Sequence, residues 1–282
     1  MYHRTIKEII QTALAEDVGE GDFTSEACID AGSAGEAVLL VKEDGVIAGI
    51  DVAKDIFQIV DPGLHFERFC ADGSQVKHSD KVLKVNGEVR SILKSERIVL
   101  NCMQRMSGIA TKTFKMAELI RSYPCRLIDT RKTTPGFRLL EKMAVRAGGG
   151  SNHRFGLDDM ILIKDNHIDF AGGIENAILR VNKFIRQNNK ILKIEIEARS
   201  LKEVKEILAV GLVDRIMLDN FSPGLISEAL ILIGNKYETE ASGNIDAGNI
   251  ESYASTGINF ISSGSLTHSY KSLDLSLKAV RK

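Results

Sequence analysis

Five cationic side chains, Arg131, Lys132, His153, Arg154 and Lys164, fall between positions 131 and 164. Arginine forks grip carboxylates and phosphates bidentately, and a lysine adds a mobile point charge. Converging with a histidine, they would form a receptor for two carboxylates, or for a carboxylate plus a phosphate. Arg131-Lys132 and His153-Arg154 are adjacent pairs, bracketed by the turn residues Thr134-Pro135-Gly136 and Gly148-Gly149-Gly150. That bracketing argues for function, although each cation alone reads as ordinary surface charge. Seven Lys and Arg against three acids give this segment a local +4, whereas 37 Lys+Arg against 38 Asp+Glu leave the chain at −1. The neutral total excludes a general nucleic-acid binder. The basic segment suits a small dianion.

Acids follow further along. Glu195 and Glu197 are two residues apart and share one face of a strand, with Asp219 ending the next. Such carboxylates can hold a hydrated divalent cation or stabilise developing positive charge; salt bridges to Lys164 and Arg154 are the other reading. Ser242-Gly243-Asn244 and Ser263-Gly264-Ser265 close the last two strand-like runs. Loops at such places cradle phosphates with backbone N–H groups, or serve simply as turns. His3, His65 and His78 have no partner pattern and read as surface residues.

Elements must carry these groups to one place. Taking 129, 163, 197, 219, 241 and 263 as strand-end markers, the steps are 34, 34, 22, 22 and 22. Helical patterns fill the gaps at 137–146, 173–187, 200–210, 222–233 and 247–255. Alternation at this spacing marks βα units around a parallel sheet, and six near-regular units favour a closed or nearly closed barrel with its active site at the strands' carboxyl ends. The first third mixes elements: a helix over 1–16, a Gly- and Asp-rich loop over 16–24, strands near 36–42, 45–50, 64–70 and 82–92, and helices over 51–60 and 93–121. Four scattered cysteines without CxxC spacing indicate neither a zinc site nor a disulfide framework. No apolar run approaches the roughly 18–20 residues that span a bilayer, and the N-terminus lacks a signal-peptide core. The expectation is a cytoplasmic, reduced protein.

Several stretches resemble quinolinate phosphoribosyltransferase, the carboxylating nicotinate-nucleotide pyrophosphorylase. They are Gln104–Thr111, Asp129-Thr130-Arg131-Lys132-Thr133-Thr134-Pro135-Gly136, Gly148–Arg154, Ile163-Lys164-Asp165-Asn166-His167, Met217-Leu218-Asp219-Asn220, Glu240-Ala241-Ser242-Gly243 and Gly264–His268. The resemblance implies an α/β protein: an N-terminal α/β sandwich domain (1–105) completed by the C-terminal tail (270–282), and an incomplete α/β barrel (106–269). It implies transfer of phosphoribose from 5-phosphoribosyl 1-diphosphate to quinolinate with decarboxylation. The products would be nicotinate mononucleotide, diphosphate and CO2, in NAD biosynthesis, with Mg2+ accompanying the diphosphate donor.

Carried over by position, Arg131, His153, Arg154 and Lys164 would grip the quinolinate carboxylates, joined by Arg105 from a neighbouring subunit of a homodimer or higher oligomer. Lys132 would face the diphosphate, and Glu197 and Asp219 the ribose and the magnesium-bound donor. Backbone around Ser242, Gly243, Asn244, Ser263 and Gly264 would take the 5-phosphate. Asn244 stands where a glycine is commoner, and Ala147 where cysteine is frequent. Competing expectations are a barrel aldolase using Lys164 as Schiff-base nucleophile, a non-catalytic quinolinate-binding barrel, and the related molybdenum-transport-associated homologues. The Gln104-Arg105 pair favours the quinolinate enzyme over that last group.

Overall fold

The computed structural model describes residues 5–280. The start of the expected N-terminal helix, His3 included, lies outside the described residues. Helix α1 (Ile6–Val18) begins at a capping box: the Thr5 hydroxyl accepts the Glu8 amide at 3.2 Å, and the Glu8 carboxylate accepts the Thr5 amide at 2.7 Å. The loop expected over 16–24 is shorter than its composition suggests, because Asp22 acts as a cap. Its carboxylate accepts the Ser25 amide at 3.1 Å and starts α2 (Phe23–Cys28).

The next elements are β1 (Ala34–Val41), β2 (Gly45–Val46), α3 (Ile50–Val60), β3 (His65–Arg68), β4 (Gln75–Val76), β5 (Lys81–Glu88) and α4 (Val89–Leu119). The strand expected over 45–50 is only the two residues of β2, since the Ala48 amide is taken by the Ser107 hydroxyl at 2.9 Å. The strand expected through 92 stops at 88. There the Glu88 carboxylate accepts the Ser91 amide at 2.7 Å and turns the chain into α4.

Then follow β6 (Arg126–Ile128), α5 (Arg138–Ala147), β7 (Ile161–Ile163), α6 (Asp165–Ala171), α7 (Ile174–Gln187), β8 (Ile194–Ala198), α8 (Leu201–Val210), β9 (Arg215–Asp219), α9 (Pro223–Ile233), β10 (Glu238–Ser242), α10 (Ile250–Ala254), β11 (Phe260–Ser262), α11 (Ser265–His268) and β12 (Leu275–Ala279). They complete two compact units. The first gathers the chain up to Phe114, Thr133–Gly149 and the chain from Leu266 onward; the second gathers Lys115–Lys132 and Gly150–Ser265. The units thus interleave, with 106–114, 133–149 and 266–269 grouped with the N-terminal sheet.

In the first unit an antiparallel sheet runs in the order β12-β1-β5-β3, so the C-terminal tail supplies an edge strand beside β1, with Leu39 opposite Leu277. Leu39, Val41, Leu83 and Val85 are buried, with Ile56 and Phe57 of α3. The tail also crosses α4 closely. A Cβ added at Gly108 would strike the Lys271 carbonyl, so glycine is needed for this approach.

The second unit holds a parallel sheet in the order β6-β11-β10-β9-β8-β7, with β6 and β7 at its edges. A single bridge from Ile128 to Ser151 extends the β6 edge. The strand rhythm predicts a closed or nearly closed barrel; the sheet is open between β6 and β7, the incomplete α/β barrel that the family resemblance implies. β8 is buried along its length, and Ile196, Ile216, Leu218, Ala241 and Ile261 are fully enclosed. The pleat leaves alternate residues, Glu195 and Glu197, Arg215 and Asp219, and Glu238, Glu240 and Ser242, on the opposite face.

Candidate active site

The strands end at Ile128, Ile163, Ala198, Asp219, Ser242 and Ser262, and the expected site residues follow from these ends. Arg131 and Lys132 lie just beyond β6, where the Lys132 amide donates to the Thr130 hydroxyl at 3.0 Å. Lys164 directly follows β7 and precedes α6. Its amide donates to His167 Nδ1 at 2.9 Å, so His167 serves to cap α6. Glu197 is the fourth residue of β8 and Asp219 the last of β9.

The Lys164 ammonium meets the Glu197 carboxylate at 2.6 Å, and the Asp165 amide donates to the same carboxylate at 3.2 Å. Asp219 accepts from the Asn220 amide group at 2.8 Å. Burial pushes the Asp219 carboxyl above its ordinary range and the neighbouring Glu197 charge adds to this, while Asn220 and Lys164 oppose it. A lysine, two carboxylates and the start of α6 therefore share one rim.

Between β6 and β7 the chain carries His153 and Arg154 on a segment without regular structure. Four consecutive amides there find side-chain acceptors, which fixes the loop without regular structure. The His153 amide donates to Asp129 at 2.8 Å, Arg154 to His153 Nδ1 at 2.7 Å, and Phe155 and Gly156 to Asp159 at 2.6 and 2.9 Å. Asp129, fully buried, also accepts from the Asn152 side chain at 2.6 Å. The Arg154 guanidinium donates to the Met160 carbonyl at 3.2 Å. Burial and the like charge of Arg131 pull the Arg154 pKa down from its ordinary value.

Below this loop lies a sealed charge cluster. His153 Nε2 is 3.1 Å from Glu195 and 3.4 Å from Glu240, both fully buried. Arg215 Nη1 is 3.2 Å from Glu240 and 3.9 Å from Glu195, its Nη2 is 3.1 Å from Glu238, and its guanidinium lies 3.8 Å over the Phe260 ring. Burial opposes charge on the His153 ring, but Glu195 and Glu240 outweigh it and raise its pKa to about 9. The Arg154 amide, in contrast, needs Nδ1 bare. Nε2 lies within ion-pair distance of both carboxylates without a hydrogen bond to either. Burial and the Glu240 charge lift the Glu195 carboxyl to about 7. Glu240 goes the other way, because His153 and Ser262 outweigh burial and lower it. Two buried carboxylates thus face one guanidinium and one imidazole, the partners a buried charge requires.

The two glycine-containing loops take the conformations their residues allow. Gly243 has φ 105° and Asn244 φ 51°. A Cβ at Gly243 would collide with the Asn220 side chain. The Ser263 hydroxyl donates to the Ile245 carbonyl at 2.6 Å, stapling one loop to the other. Gly264 follows it directly. At the strands' opposite ends, a hollow of about 510 Å³ is lined by Lys193, Asp214, Tyr237 and Glu238 among others, and none of the expected site residues lines it.

Arg105 belongs to the first unit, on α4. It pairs with the fully buried Glu141 at 2.6 Å, donates to Thr134, and stacks within 5.2 Å of Phe137 and 5.1 Å of Tyr270. Arg215 and Glu240 carry geometry that strand-end reasoning passes over, while Asp129, one of its strand-end markers, holds the His153 loop. The signal for the other two was charge an even number of residues before a strand-end carboxylate or hydroxyl, Asp219 or Ser242.

Models of known families match nearly the whole chain. The N-terminal domain of quinolinate phosphoribosyl transferase matches residues 22–107, and the C-terminal domain residues 109–278. The chain belongs to the quinolinate phosphoribosyltransferase family. A family member from Nicotiana glauca, "quinolinate phosphoribosyltransferase [decarboxylating] 1", is 46% identical over 97% of this chain and 82% of its own. A probable nicotinate-nucleotide pyrophosphorylase [carboxylating] from Synechocystis is 43% identical over 96% and 92%. The crystal structure of NadC from Streptococcus pyogenes superposes with a TM-score of 0.91 at 40% identity, covering all of both chains. The quinolinate phosphoribosyltransferase fold thus accounts for both the tail-completed sheet and the incomplete barrel.

Proposed function

We propose that this protein joins quinolinate to 5-phosphoribosyl 1-diphosphate and decarboxylates the product, giving nicotinate mononucleotide, diphosphate and CO2 in NAD biosynthesis. Family membership across the chain carries this reading, and the row of cations and carboxylates at the barrel's strand ends suits the chemistry. Arg131, Arg154 and Lys164, with His153 in the same wall, take the quinolinate carboxylates. Arg105 reaches the site of a partner subunit in a homodimer or larger assembly. Lys132 faces the diphosphate, and the backbone at Ser242, Gly243, Asn244, Ser263 and Gly264 receives the 5-phosphate.

As the diphosphate leaves, positive charge grows on the ribose C1, and Glu197 and Asp219 stabilise it electrostatically. The pyridine nitrogen attacks C1 and becomes cationic. The neighbouring C–CO2 bond then breaks, releasing CO2, and the electron pair left on the ring carbon is stabilised by the adjacent positive nitrogen until it takes a proton. Lys164 passes from Glu197 to a substrate carboxylate, so binding exchanges one ion pair for another. The rest is orientation.

Glu197 and Asp219 offer the hard oxygen donors magnesium prefers, although Lys164 already engages Glu197. The fit is therefore to Mg2+ carried mainly by the donor's phosphates, which Asp219 and Glu197 would help to hold. When bound, the ion neutralises charge on the departing diphosphate. The same Lys164–Glu197 pair weighs against a Schiff-base aldolase, which needs a neutral lysine amine. Four free cysteines suit a cytoplasmic setting, and no helix among the described residues is long and apolar enough to cross a membrane.

The test is incubation of the purified protein with quinolinate, the ribosyl diphosphate donor and Mg2+, following nicotinate mononucleotide and CO2. Equimolar appearance of both is expected. Tight quinolinate binding with no nucleotide formed would contradict the reading.

A further inference from the structure

The last rung of the β9–β10 ladder sets Asp219 opposite Ser242. One residue further, Asn220 takes φ 57°, a left-handed backbone that asparagine tolerates better than most side chains do. Its backbone N–H donates back to the Ser242 carbonyl at 2.8 Å and carries the pairing of the two strands into their loops. The same turn folds the side chain onto its neighbours. Nδ2 donates to Asp219 Oδ2 at 2.8 Å, and Oδ1 faces the loop after β10, where Asn244 Nδ2 stands 3.5 Å away. Gly243 passes so close that a Cβ there would strike the Oδ1, Cγ and backbone nitrogen of Asn220. A left-handed turn alone does not call for this amide, because glycine takes the same φ without steric cost. What asparagine adds is the side chain between a carboxylate and a loop.

We propose that Asn220 is a positioning residue for phosphoribosyl transfer. It holds the Asp219 carboxylate and the Ser242-Gly243-Asn244 loop in one register, so that ribose and 5-phosphate are received together. Asp219 is only partly buried, and an unsupported carboxylate at a rim rotates among several rotamers. One N–H donated to a charged oxygen restricts that rotation. It engages Oδ2 and leaves Oδ1 for the ligand. Because Gly243 rests on the same amide, the loop cannot shift without displacing the group that aims Asp219. Small displacements of this kind are costly in catalysis, since a misplacement of about 1 Å can lower a rate a hundredfold. The inference rests on the proposed transfer reaction and supplies the link between its ribose and phosphate contacts.

Variants of the intact enzyme test it. Asn220→Gly keeps the left-handed turn and removes only the amide side chain. It should lower kcat and raise the KM for the ribosyl donor, each about tenfold. The quinolinate dissociation constant, read by calorimetry, should stay within about twofold, because the proposed carboxylate grip lies on other strands. Asn220→Asp keeps the shape and exchanges the donor for an acceptor. It should lower kcat at least as far, and it carries the test if the glycine variant does not fold. Adding Asn220→Gly to Asp219→Ala should cost less than a further threefold in kcat/KM for the donor, because the asparagine acts through a carboxylate already removed. Wild-type kinetics in either folded variant would overturn the inference. So would additive losses in the cycle, or a quinolinate constant that rises as far as the donor KM. Those results leave the transfer reaction standing, since the wild type still forms nicotinate mononucleotide. A wild type that forms none would instead remove the reading on which the inference rests.

Discussion

Glu195 and Glu197 are the same residue type, two apart on β8, on the same face of one sheet. Glu197 stands one step from the strand's end and meets Lys164, whose side chain is 47% exposed, in a simple ion pair. Glu195 stands two residues deeper, sealed with His153, Arg215 and Glu240, and is driven towards its protonated form. Depth along a barrel strand, by itself, divides a carboxylate that substrate can reach from one that supports the wall behind it. At the rim, water and ligands can replace a partner. In the interior, removing a partner strands a charge.

That contrast can be broken at its deepest point. Replacing Arg215 by Met leaves Glu238 and Glu240 without their guanidinium, and stability should fall by about 3–5 kcal/mol, the usual result of breaking a buried pair from one side; urea denaturation measures it. At the rim the outcome should be reversed. Lys164→Ala should cost less, about 1–2 kcal/mol, because the lysine end of the pair is open to solvent and buried Glu197 keeps the Asp165 amide as a donor. Its quinolinate affinity should fall on the order of a hundredfold, as for the loss of one partner in a bound charge pair, by calorimetry.

A pH series separates the two depths less drastically. The folded protein holds a proton on Glu195 up to about 7, above the usual carboxyl value of 4.5. A carboxyl raised in this way contributes stability that is fully present below its unfolded value and lost as pH rises through about 7. The wild type should therefore be less stable at pH 8 than at pH 5.5, by about 1–3 kcal/mol at most, and Glu195→Gln should flatten that slope. An unchanged slope in the variant would move the titration elsewhere. The smallest effect belongs to an outer-surface pair. Lys202 lies 3.6 Å from Glu206, and its side chain is 87% exposed; Lys202→Ala should shift stability by less than about 0.5 kcal/mol.

The barrel was legible because its strands are short apolar runs ending in polar residues. The markers at 163 and 219 coincide with the ends of β7 and β9, and the others fall within a residue of theirs. The short helices were harder. α2 and α6 start on side-chain contacts, Asp22 for α2 and His167 with Glu197 for α6, inside segments whose composition reads as loop. The site's cations and carboxylates were legible as strand-end residues. The cluster of Glu195, Arg215 and Glu240 was only half visible: Glu195 stood out beside Glu197, while Arg215 lay in an apolar run and gained meaning only when β9 was placed between β8 and β10. Alternation along one strand is visible in sequence, but pairing across three strands is not.

The most direct measurement sets the two glutamates of β8 side by side, comparing Glu195→Gln and Glu197→Gln in steady-state kinetics and thermal unfolding. Glu197→Gln should lose turnover more than a hundredfold (about 3 kcal/mol) with its melting temperature nearly unchanged. Glu195→Gln should keep turnover within about threefold and change the pH dependence of its melting temperature instead. The reverse pattern, with turnover lost at Glu195 and preserved at Glu197, would contradict the division of labour by depth.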